Sequence, residues 1–140
     1  MSDERIRFPR IFAVNVDALE TVRKDENHIW GAEDWILNDI EHGVCTKFLT
    51  IFPGFQSSKH NHETKWEYFI VLSGELELDI WDDPEVIGKY RTLATGQKHF
   101  IPAGQYHRFR TNTREFVLLL EVSGFENELT NKEEPSRQLY

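Results

Sequence analysis

Three histidines and a glutamate stand at spacings that let strand side chains meet. His60 and His62 are separated by one residue, Glu67 follows shortly after, and His107 lies further along the chain. Alternate side chains of a strand share a face, so His60 and His62 project together. Their Cα atoms would stand roughly 6.7 Å apart, and two imidazoles at that separation can converge on one ion with bonds of about 2.0–2.2 Å. Glu67 opens the next strand-like run, and a tight reversal brings its carboxylate to the same ion. His107 follows the turn signal at Ala103 and Gly104. Three imidazoles and one carboxylate form a borderline-hard donor set suited to one divalent ion of Mn, Fe, Co, Ni or Zn; the donors alone do not choose among these, and Mn or Fe is the expected ion. Water in the remaining positions is exchangeable for substrate oxygens. The competing reading of any histidine is an ordinary surface or core residue. His28, His42 and His99, with no partner at ligand spacing, are read that way.

The elements that must position these residues are short and β-rich. Residues 45–52, 67–72, 75–81, 99–102 and 115–122 read as strands. Between them fall the turn signals Pro53-Gly54, Ser73-Gly74, Asp82-Asp83-Pro84 and Ala103-Gly104. Many short strands without alternating long helices indicate an all-β sandwich or barrel. Ahead of them, Ile6, Phe8, Ile11, Phe12 and Val14 could pair as a strand. Asp17 could cap a short helix, with Glu20 completing a capping box and the helix finished by about Lys24. The expected organisation is one domain over 1–140: an N-terminal extension to 34, a barrel over 35–126 and a polar tail over 127–140.

A chain of 140 residues that is 39% hydrophobic and 13% aromatic can fill one core. Its net charge of −8 argues against an extended nucleic-acid or anionic-membrane surface. Cys45 is the only cysteine, so no intrachain disulfide or thiolate cluster can form. No stretch carries a signal-like apolar run, and the longest apolar stretch, 116–120, is too short to cross a bilayer. A cytoplasmic protein is expected.

Two stretches resemble the paired motifs of the cupin superfamily. Gly54, His60, His62, Glu67 and Gly74 meet every position of the first motif, and Gly96, Pro102, Gly104 and His107 meet the second. The asparagine that commonly follows the second histidine is replaced by Thr111, a position that in the family is more often structural than metal-binding. The resemblance spans about Phe48 to Ser123. It implies a double-stranded β-helix, or jelly-roll barrel, holding a metal ion through His60, His62, Glu67 and His107.

Cupin folds host isomerases, oxygenases, decarboxylases and binders alike, so finer likeness must carry the function. The run from Ile29 to Trp35, the strand from Lys47 to Ile51 and the placement of Lys65 two residues before Glu67 look like small cupins related to mannose-6-phosphate isomerase and D-lyxose isomerase. That likeness implies metal-dependent aldose–ketose isomerisation of a small sugar or sugar phosphate. Glu121, a carboxylate in an otherwise apolar strand, is the leading base. Lys65 shares strand parity with Glu67 and could stabilise an enediolate oxygen, with Lys47 a weaker candidate of the same kind. Against this, Glu121 could lie on a solvated outer face and Lys65 in a water-facing turn. The four tryptophans could stack on sugar, although core or interface packing is the commoner fate. Arg108 and Arg110 alternate with His107 and Phe109 and should point away from the cavity, which leans towards an uncharged sugar. An iron-dependent dioxygenase and a non-catalytic metal- or sugar-binding protein are the alternatives. Outward-facing Glu121 and Lys65 would favour the latter. Small cupins are commonly dimers, so a homodimer is expected.

Overall fold

A computed structural model describes residues 18–111 and 114–127, together with the backbone of Asn131–Glu133 and Arg137–Gln138. In chain order the strands are β1 (Arg23–His28), β2 (Gly31–Asp39), β3 (Val44–Ile51), β4 (Phe55–Gln56), β5 (His60–His62), β6 (Glu67–Ser73) and β7 (Leu76–Trp81). They continue with β8 (Lys89–Leu93), β9 (Lys98–Ile101), β10 (Tyr106–Arg110), β11 (Val117–Ser123), β12 (Asn131–Glu133) and β13 (Arg137–Gln138). All pairings are antiparallel. A six-stranded sheet runs β1-β2-β3-β11-β6-β9. In the second sheet β10 is the hub, pairing with β4 and β5 and with β7, which in turn pairs β8. This is the expected all-β double-stranded β-helix.

The strands expected from composition appear within one or two residues of their anticipated bounds, because apolar residues, many of them β-branched or aromatic, are concentrated there between turn signals. The β1–β2 hairpin and β8 were not anticipated, since their charged residues hide the period-two pattern. The expected N-terminal strand and Asp17 lie outside the described residues. Of the expected helix, Arg23 and Lys24 belong to β1, where they pair with Trp35 and Asp34. No α-helix occurs among the described residues, and none is long and apolar enough to cross a membrane.

The interior divides into two halves along aligned rungs. Val117 lies opposite Ile51, and Leu119 lies opposite both Leu49 and Val71. These residues, with Leu76, Leu78, Leu93 and Ile101, form an apolar core with almost no exposure. One rung further, Glu121 lies opposite Lys47 and Phe69, and beyond it Ser123 lies opposite Cys45 and Glu67. The inward rows of β3 and β11 therefore change from hydrocarbon to charge at the same level, and that of β6 does so one rung further, from Phe69 to Glu67. Full burial of polar groups is tolerated only where they find partners, so this level marks where the chain spends stability on something other than folding.

Thr111 explains how the motif survives without its asparagine. Its buried hydroxyl accepts from Gly54 N and donates to Phe52 O, both at 2.9 Å, tying the turn before β4 to the end of β10.

Gly31 starts β2 at φ +155°, and a Cβ there would lie 1.8 Å from Thr50 O on the neighbouring strand. Backbone cannot yield to that overlap. Gly31→Ala should cost about 2–4 kcal/mol, read as a lowered urea midpoint at unchanged slope; an unaltered midpoint would contradict this packing.

Candidate metal centre

Three elements bring the histidines together. His60 and His62 alternate along β5, and His107 on β10 lies directly opposite His60. The loop leading to His107 is clamped onto β5: Gly104 N donates to His62 O at 2.7 Å, and Asn61 Nδ2 donates to Gly104 O at 3.3 Å. The ring centroids of His60 and His107 are 4.3 Å apart, those of His60 and His62 5.1 Å, and those of His62 and His107 5.7 Å. One nitrogen from each ring lies within 4.8 Å of the others. Donors bonded at about 2.1 Å to a common ion stand about 3–4.2 Å apart, so the triad needs only slight contraction. Glu67 adjoins it: one oxygen meets His62 Nε2 and the other lies 3.4 Å from His107 Nε2.

Tautomers are set by the backbone. His60 Nδ1 lies 2.8 Å from Ser58 O, and His107 Nδ1 lies 3.0 Å from Gln105 O. Donation from Nδ1 to a carbonyl leaves Nε2 as a lone pair aimed inward, the usual outer support of an imidazole ligand. His107 Nε2 and both Glu67 oxygens are buried, crowded against one another, His62 and Lys65, without forming well-directed hydrogen bonds. Imperfectly satisfied buried polar atoms are costly, and a divalent cation is a group that would satisfy them. Burial and the neighbouring His107 push the His60 pKa down to about 3, so the ring is neutral and able to ligate at pH 7. Burial opposes ionisation of Glu67, but His107 and Lys65 together hold its carboxyl well below the usual range. The residues present fit a metal.

A charged network continues from this point. Lys65 Nζ lies 3.3 Å from Glu67, 3.1 Å from Glu126 and 3.8 Å from Glu121. Lys47 Nζ donates to Glu126 at 2.9 Å and lies 3.6 Å from both Glu33 and Glu121, while resting 3.9 Å from the Trp35 ring centroid. Glu126 thus bridges two lysines, and its backbone is pinned by Asn38 on β2. Burial would neutralise both ammoniums, yet Glu121 and its neighbours raise their pKa values. For Glu126 burial is likewise overcome by the lysines, and its pKa falls. Glu121 behaves oppositely: burial outweighs Lys65 and Lys47, and its pKa rises. A cavity of about 360 Å³ joins this network to His60 and His62, with Trp30, Phe69 and Phe109 along an apolar wall.

Glu121 and Lys65, singled out from sequence, are 5% and 3% exposed and face this cavity. Lys47 joins them. Arg108 and Arg110 do point outward, held by Asp79 and Glu77. Trp30 and Trp35 line the cavity, Trp81 packs under Lys59 and Arg108, and Trp66 is partly exposed. His42 pairs with Asp39 and His99 with Arg91, whereas His28 stacks on Trp30 at the cavity wall and meets Glu33 at 2.8 Å. Sequence reasoning missed Glu33 and Glu126. Glu126 lies past Gly124, beyond any strand parity, and carries no motif signal; Glu33 is one of several acids in a charged strand.

Comparison with known proteins completes the picture. The model of the cupin domain family matches residues 47–123. No curated protein matches the chain significantly. Among solved structures, an uncharacterised double-stranded β-helix protein from Klebsiella pneumoniae is 22% identical at TM-score 0.63, covering 89% of this chain and 96% of its own. The capsular polysaccharide assembling protein CapF from Staphylococcus aureus is 16% identical at TM-score 0.66, covering 74% of this chain. This chain spans only 32% of CapF. A putative sugar phosphate isomerase from Acidithiobacillus ferrooxidans is 22% identical at TM-score 0.51, over 60% of this chain and 51% of that one. At these identities the likeness is one of fold.

Glu33 supplies a pH test. Burial opposes its ionisation, but the His28 contact and Lys47 hold its pKa at about 2 against an ordinary 4.5. A depressed carboxyl pKa stabilises the fold above pH 4.5, and that contribution fades as pH falls towards 2. Glu33→Gln should therefore cost about 3 kcal/mol at pH 7, with the gap to the unsubstituted protein narrowing below pH 4.5 in urea titrations. A gap independent of pH would refute the assignment.

Proposed function

We propose that this chain, which belongs to the cupin domain family, is a metal-dependent isomerase that interconverts an aldose and a ketose. His60, His62, Glu67 and His107 are the proposed ligands, and manganese or iron the proposed ion, since imidazole with carboxylate and water suits both. When bound, that ion supplies Lewis-acid polarisation of a carbonyl and its neighbouring hydroxyl.

The observation that carries this reading is a buried carboxylate of raised pKa, Glu121, in the same cavity as the histidines and 3.8 Å from the Lys65 ammonium. Isomerisation moves one proton from C2 to C1 and one between the two oxygens, with no external oxidant. Glu121 takes the carbon-bound proton and returns it to the adjacent carbon, and a pKa lifted towards working pH suits both directions. Lys65 faces the oxygen on which negative charge grows. The inward placement of both residues supports a catalyst over a passive binder.

The same strands support a homodimer. Inward charge leaves hydrocarbon facing outward: Phe48 and Ile70 flank Leu120, Tyr68 lies opposite Val122 and Phe100, and Trp66 adjoins Tyr68. Trp66, Tyr68 and Phe100 are 36%, 38% and 43% exposed. A second copy would seat the same patch on itself across a two-fold axis. The lone cysteine, Cys45, is buried and unpaired, in keeping with a reducing, cytoplasmic setting.

The test is a screen of aldoses and ketoses with manganese or iron supplied, under air and under nitrogen. Oxygen-independent interconversion is expected, with Glu121→Gln lowering kcat about 10²–10⁴-fold at unchanged metal content. Oxygen consumption with iron and no sugar turnover would replace the isomerase by a dioxygenase. Light scattering after size exclusion should give twice the chain mass; a monomer removes the dimer.

A further inference from the structure

The wall of the cavity opposite the histidines carries the next inference, because its charges are all committed. The two ammoniums that line it are shared among carboxylates: Lys47 among Glu33, Glu121 and Glu126, and Lys65 among Glu67, Glu121 and Glu126. His28, at the rim, already meets Glu33 and Asp25. No arginine is among the described residues lining the cavity. Four carboxylates therefore surround two ammoniums, and even a divalent ion at the histidines leaves the lining without surplus positive charge. An entering carboxylate or phosphate would have to displace a buried glutamate from its lysine, and the displaced charge would have no new partner.

Hydrogen bonding in the same wall is, by contrast, incomplete. Glu121 Oε2 and Glu126 Oε2 are buried and meet lysine ammoniums, at 3.6 and 3.8 Å for Glu121 and 3.1 Å for Glu126, without forming a well-directed hydrogen bond, and the buried donor Trp35 Nε1 has no hydrogen-bond partner. These residues are 5%, 8% and 5% exposed and line the cavity. Two carboxylate oxygens with a lone pair to spare beside their lysines and one unpartnered donor call for groups that both give and receive a proton, which hydroxyls do and phosphate oxygens do not. Trp30, Phe69 and Phe109 offer apolar surface for C–H faces. At about 360 Å³ the space is at the small end of ligand pockets.

We propose that the cavity takes a small uncharged polyol and excludes ligands bearing a carboxylate or phosphate, with Glu33 and Glu126 as the residues that set this selectivity. The inference rests on the reading above for where the ligand sits, beside the metal centre, but it concerns binding and not turnover. Glu126 acts as an acceptor for the ligand, and Glu33 acts through Lys47 by holding its charge away from an incoming anion. Glu33 is thus a positioning residue.

The test uses the full chain loaded with manganese and a matched set of ligands: the D-aldopentoses, D-ribonate and D-ribose 5-phosphate. Binding is read calorimetrically and by displacement of metal-bound water in proton relaxation. At least one aldopentose should bind tenfold or more tightly than either anion. Glu33→Gln should raise the affinity for D-ribose 5-phosphate several-fold relative to that for the pentose, whereas Glu126→Gln should weaken the pentose. Tighter binding of ribonate or of the phosphate ester by the unsubstituted protein overturns the proposal, as does failure of every pentose to bind; neither result needs a variant to fold. Selective pentose binding without interconversion would sink the isomerase and leave this inference standing. Preferred turnover of the phosphate ester would do the reverse.

Discussion

Electrostatic balance inside the barrel is the constraint on which everything else depends. Among the described residues, Glu33, Glu67, Glu121 and Glu126 are drawn into one interior space against the ammoniums of Lys47 and Lys65, with His28 meeting Glu33 at the rim. Taking charge from water costs several kcal/mol per ion after relaxation, and removing one partner of a buried pair typically costs 3–5 kcal/mol. The cluster holds two more negative than positive groups, which is the charge one divalent cation supplies. Burial raises Glu121's pKa against the pull of Lys65 and Lys47, and Glu67 and His107 crowd together without well-directed hydrogen bonds. A cation beside the histidines would offset the excess negative charge there.

The fold makes this imbalance affordable by confining it. Each central strand keeps hydrocarbon inward over one half, where Leu49, Val71, Val117 and Leu119 pack with almost no exposure, and turns charge inward over the other. Strand register aligns the change, so Lys47 and Glu121 face each other without any loop to place them. Sheet-borne groups are held more firmly than loop-borne ones. The consequence appears on the outside, where the period of two puts Phe48, Ile70, Tyr68 and Leu120 towards solvent or a partner.

How much of this was legible beforehand follows from what each residue does. The gathering of the three histidines was readable because turn glycines and strand spacing are local constraints: His60 and His62 need one strand, and His107 needs one turn. Glu121 and Lys65 could be flagged by type and parity, but their facing depended on register between β3, β6 and β11, which no short window contains. Glu126 was invisible for a stronger reason. It reaches the lysines only because Asn38, 88 residues earlier, holds its backbone. Glu33 belongs to a hairpin whose acidic run disguised a strand as an extension. Thr111 shows the converse, a departure from pattern whose hydroxyl meets the same turn by another route.

The central claim, that three imidazoles and one carboxylate share an ion, is most directly tested by X-ray absorption at the metal edge of zinc-loaded protein. The account predicts imidazole scattering from three rings at about 2.0–2.1 Å with additional oxygen ligands, falling to two rings in His60→Ala. A spectrum of the unsubstituted protein with one imidazole or none would contradict it.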